Sequence, residues 1–145
     1  MKPHGCNSEY AEQRQADLLK AYRSYIANCR YINKSEALDT VVNMSASRFY
    51  VSRQRAYKVI LAILNGSDDL SKMRANKREM YLDIYSRVMD IYRINPNMQI
   101  GDIVEQVISS PAPKFYLSAG SAKTIINIAK KQWSKIHLQR MRALL

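Results

Sequence analysis

The sequence predicts an all-α protein, arranged as two repeated three-helix units sharing or abutting a core, and three observations point there. Glycine and proline number four each, while Ala, Leu, Ile, Met, Lys, Arg and Gln are plentiful, a mix that favours helix. Apolar residues recur at three- and four-residue spacing, and no sustained strand alternation appears beyond the few residues around "RFYV". One phrase is also written twice. "SASRFYVSRQRAYKVI" begins at Ser45 and "SPAPKFYLSAGSAKTII" at Ser110, and an offset of 66 residues aligns Phe49-Tyr50 with Phe115-Tyr116. At that offset Ala46 meets Ala112, Arg48 meets Lys114, Ser52 meets Ser118 and Ala56 meets Ala122.

The elements follow in order. Ser8 is placed to cap a first helix whose inner stripe is Leu18, Leu19, Tyr22, Tyr25, Ile26 and Cys29. "NKSEALDTVVNM" reads as a short second helix capped by Ser35, with Leu38, Val41 and Val42 inside. Ser52 opens a third, with Ala56, Val59, Ile60 and Ile63 inside, and Gly66 suits the left-handed position that ends it. The second copy repeats the plan. Its long helix buries Tyr81, Ile84, Tyr85, Val88, Ile91 and Tyr92 and stops at Pro96. Its short helix buries Ile103, Val104, Val107 and Ile108, and Ser118 caps a long closing helix. The boundary between the units falls at residue 70, giving 1–70 and 71–145.

The repeated phrase reads as a helix joint. Pro111 and Pro113 deny helix to the second copy, and Ser45 and Ser47 favour a turn in the first. Phe49, Tyr50, Phe115 and Tyr116 are expected to lie over the joints, at least one of each pair buried. Two helices joined by a fixed turn and backed by a third resemble the helix-turn-helix class of DNA-binding domains. The connections, Ser45 to Val51 and Pro111 to Leu117, are longer than the ~3–4 residue turn of that class. The resemblance implies that the helix after the turn meets base edges. In copy one that selects Arg53, Gln54, Tyr57 and Lys58; in copy two it selects Ala119, Gly120, Lys123 and Thr124.

Charge points the same way. The chain carries 23 Lys plus Arg against 12 Asp plus Glu, a net of +11. Such an excess attracts polyanions, of which nucleic acid is the commonest inside cells. Lys72, Arg74, Lys77 and Arg78 cluster between the copies, and Lys130, Lys131, Lys135, Arg140 and Arg142 crowd the end. Both clusters suit phosphate contact. Trp133 could stack on a base, but it falls in a helical pattern and is expected in the core.

Other chemistry finds no motif. Cys6, Cys29, His4 and His137 have no zinc-ligand spacing, and no Gly-rich phosphate loop or paired acidic motif is present. No catalytic residue, cofactor or metal is expected, and the ten tyrosines fit core or interface positions. The start has no apolar leader and no run reaches membrane-spanning length, so the expectation is a soluble protein of the cytoplasm, or of a virion if phage-encoded. The leading expectation is a non-enzymatic protein of duplex DNA, a regulator or accessory factor of a phage or mobile element. The alternatives are a structural or assembly protein such as a virion component, which would partner proteins or its own copies, and a helical RNA-binding protein.

Overall fold

The computed structural model describes residues 10–31 and 33–144. Six α-helices account for most of these residues: α1 (Ala11–Ala27), α2 (Lys34–Val42), α3 (Arg53–Leu64), α4 (Ala75–Ile94), α5 (Ile100–Ile108) and α6 (Ala119–Leu144). A short 3-10 turn, Asp69–Lys72, precedes α4. The only β pairing among the described residues is an isolated bridge between Ala46 and Ala112. The fold is all-α.

Local chemistry explains several helix ends. The Ser52 hydroxyl accepts from the Arg55 amide, and Ser118 Oγ accepts from the Ser121 amide, each at 3.1 Å. Gly66 stops α3 at φ +77°, where a side chain would be strained. The cap of α2 is not Ser35 but Asn33, whose side chain accepts from the Ser35 and Glu36 amides. Asn caps as well as Ser, and here it sits one position before the first helical residue. The expected Ser8 cap lies outside the described residues, as do Cys6 and His4.

The predicted apolar stripes are buried at their centres and half-buried at Tyr25, Ile26, Cys29, Ile63, Tyr85, Ile91 and Tyr92, and they pack against unexpected partners. Helix α6 packs on α1 and α2, and α3 packs on α5 and α4. Neither α3 with α2 nor α6 with α5 forms a substantial contact. Each third helix therefore leaves the two helices before it and completes the other half of the core. A helix-turn-helix needs its two consecutive helices held against each other at a fixed angle. The packing of α2 and α3 does not supply that.

The two joints explain the exchange. Their backbones run antiparallel past each other, with Ala46 and Ala112 each donating an amide to the other's carbonyl at 3.0 Å. On either side, the Phe49 amide donates to Ile108 O and the Phe115 amide to Val42 O. These are equivalent positions at the 66-residue offset. Phe49 stacks on Tyr116 and Tyr50 on Phe115, with centroids 5.9 and 6.1 Å apart. Phe49, Phe115 and Tyr116 are buried and Tyr50 is half-buried. Burying a ring the size of Phe contributes roughly 1.5–3 kcal/mol, so the crossing is a stabilising centre. The aromatic pairs thus cover the joints as expected, and they do so by stacking across them.

Candidate nucleic-acid interface

The residues expected to read bases are partly engaged. Arg53 at the start of α3 reaches Asp102 at 3.4 Å and Glu105 at 3.2 Å, both on α5. Gly101 permits this approach, since a Cβ there would lie 3.3 Å from the Arg53 guanidinium and 3.6 Å from Tyr57. Gln54 and Tyr57 line an open cleft of about 750 Å³ beside Tyr92, Met98 and Ile100. Lys58 faces another concavity, with Lys72 and the carboxylate of Asp69 on its wall. The start of α3 is therefore turned toward α5 and carries acidic company.

The cluster between the halves divides in two. Arg78 folds back onto the chain, donating from Nε to Leu70 O at 3.0 Å and from Nη2 to Met73 O at 2.8 Å. It holds the turn leading into α4. Arg74 and Lys77 are exposed and line a groove above the crossing joints. Arg14, Arg48 and Lys114 line the same groove. Sequence reasoning passed over these three as site residues. The signal for Arg14 was a charged side chain on the apolar stripe of α1, where the other copy has Met80.

Helix α6 gathers the remaining cations. From Gln106 to the end, the chain contains no Asp or Glu. Thr124, Lys131, Lys135 and Arg142 recur at spacings of seven, four and seven, which places them on one helical face. All four are exposed, on the side away from the buried Ala122, Ile126 and Ala129. Thr124 bonds its hydroxyl to Gly120 O at 3.2 Å. Lys123 is also exposed, and Lys130 lies 4.7 Å over the Tyr22 ring. Arg140 sits on the other side, within the continued line of the core stripe.

That line carries Trp133, Ile136 and Leu144, which with neighbouring Leu138 and Met141 are half-exposed or more. Trp133 is not core: it is 50% exposed, stacked on His137 and covered by the Arg23 guanidinium. Helix α1 ends at Ala27, and beyond Trp133 the stripe of α6 is exposed among the described residues.

Tyr50 and Tyr116 each donate a hydroxyl hydrogen bond to a carboxylate, Asp17 and Asp83 respectively, again at the 66-residue offset. Burial first, and the neighbouring carboxylate second, push both phenols well above their ordinary value near 10. They act as hydrogen-bond donors throughout the neutral range. Among the described residues, no group of three His, Cys, Asp or Glu could hold a metal ion, and no helix is long and apolar enough to cross a membrane. No family model, curated protein or solved structure matches the chain.

Proposed function

We propose that the protein binds nucleic acid, with duplex DNA as the first candidate, chiefly through its phosphate backbone. The reading rests on the acid-free α6, whose outward face carries Lys131, Lys135 and Arg142 in line. At 1.5 Å per residue the 26 residues of α6 extend about 39 Å, comparable to one turn of duplex. Contacts of this kind give affinity and salt dependence but carry no sequence information. Base reading by Arg53 is not part of the proposal, because the exposed carboxylates of Asp102 and Glu105 pair with its guanidinium and compete with a base edge. A regulatory or accessory role, in a phage or elsewhere, fits the strongly basic charge.

Titration against random duplex DNA, duplex RNA and single strands at several salt concentrations tests this. The parent should bind with a steep salt slope, and the triple variant Lys131→Gln/Lys135→Gln/Arg142→Gln should flatten it by roughly 0.9 for each phosphate it no longer neutralises. The variant should weaken all sequences alike. Preference for RNA or single strands would move the assignment to those ligands.

A second reading, assembly with a protein partner, is favoured by the exposed stripe through Trp133, Ile136 and Leu144. It takes over if the parent binds no nucleic acid at low salt.

A further inference from the structure

We propose that the groove above the crossing joints is a discrete phosphoryl-binding site, one that does not require the nucleic-acid reading. The groove encloses about 290 Å³ and draws its walls from both halves of the chain. Arg14 comes from α1, Arg48 from the first joint, Arg74 and Lys77 from the start of α4, and Ser118 and Ser121 from the start of α6. No Asp or Glu lines it.

The charges near the groove are unevenly balanced. Lys114 is paired with Glu79 at 2.5 Å, and Arg48 donates to Phe49 O and lies 3.7 Å over the Tyr10 ring. The nearby carboxylates of Asp17 and Asp83 accept from tyrosine hydroxyls and do not line the groove. Arg74 and Lys77 have no ion pair among the described residues. Arg14 is more enclosed: its Nε is buried and has no hydrogen-bond partner among the described residues. Burial lowers the Arg14 pKa, which means that its surroundings disfavour the positive charge they enclose. An anion placed beside the Arg14 side chain on the groove wall would offset that penalty.

The geometry selects a phosphoryl group. Guanidinium forks match the oxygens of a phosphate, and the start of α6, where Ser118 and Ser121 line the groove, adds the positive end of a helix dipole. The aromatic rings below are stacked in pairs, with Phe49, Phe115 and Tyr116 buried, so little ring surface is left for a nucleobase. Recognition would stop at the phosphoryl group, whether carried by a nucleic-acid backbone or by a free phosphate ester. A ligand there would touch both halves at once and stabilise their interlocked packing.

Thermal melting with inorganic pyrophosphate, at ionic strength held constant with chloride, tests the site. The parent should show a saturable rise in Tm, and Arg74→Gln/Lys77→Gln should weaken the apparent affinity by about tenfold or more. Those two side chains are exposed, so the variant should fold; Arg14→Gln should weaken binding too. Lys34→Gln, exposed on α2 and absent from the groove wall, should respond as the parent does. An absent or non-saturable rise overturns the site, as does an equal rise in Arg74→Gln/Lys77→Gln. Displacement of pyrophosphate by duplex lacking terminal phosphates assigns the group to the backbone; saturation without competition assigns it to a free phosphorylated compound. A parent that takes pyrophosphate but no nucleic acid keeps this site and loses the nucleic-acid reading. The reverse result does the opposite.

Discussion

Tyr50 and Tyr116 place a hydroxyl at each end of the crossing and tie it to an aspartate on the first helix of their own half, α1 or α4. Their raised pKa values link them to stability in one direction only. In the unfolded chain a tyrosine loses its proton near pH 10, whereas the folded protein holds it to higher pH. The native state therefore binds more protons above that point, and its stability is full below about pH 10 and falls as pH rises further. Chemical denaturation of the parent should show this fall between about pH 10 and 12. Tyr50→Phe/Tyr116→Phe should start less stable and show a shallower fall. Parallel slopes would mean that the phenols titrate alike in both states. The pairing was legible in principle, since Asp17 and Asp83 share the offset that aligns the tyrosines. The engagement of Arg53 was less so, because nothing in the order of residues says that α3 will face Asp102 and Glu105.

At the scale of elements, periodicity told which face of each helix is buried and could not tell against what. The stripes of α1, α2, α4 and α5 were legible, as were the caps at Ser52 and Ser118 and the stop at Gly66. Asn33 was missed because two good capping residues stand close together and propensity alone does not choose between them. Trp133 was misplaced for a different reason. A helical pattern continues through it, but α1 ends at Ala27 and leaves the later turns of α6 uncovered. This predicts a clean separation of roles along α6. A chain ending at His137 loses Leu138, Arg140, Met141, Arg142 and Leu144, all of them exposed. Its Tm should stay near that of the parent, since surface changes usually fall within about 0.5 kcal/mol. Its salt slope on duplex should drop by roughly 0.9 if Arg142 neutralises one phosphate. A large fall in Tm would show that the last turns belong to the core.

For the molecule as a whole, the long connections decide the architecture. Seven residues from Ser45 to Val51, and seven from Pro111 to Leu117, carry the chain across its counterpart rather than back on itself. A turn of ~3–4 residues would return the third helix to its own pair. The departure from helix-turn-helix spacing was visible in the sequence, and its physical consequence is the exchange of α3 and α6. The basic groove also exists because of that exchange, since its walls come from α1, both joints, α4 and α6. Trp133 is the single tryptophan, which makes it a clean reporter of where α6 lies. In the exchanged arrangement its indole sits beside Arg23 of α1, and Lys130 one turn earlier lies over Tyr22. At the 66-residue offset the corresponding positions on α4 are Met89 and Val88. Isotope-edited NOE spectroscopy on the full chain should give cross-peaks from the Trp133 indole to Arg23 side-chain protons, and none to Met89 or Val88. Cross-peaks to Met89 and Val88 instead would place α6 on its own half and contradict the exchange.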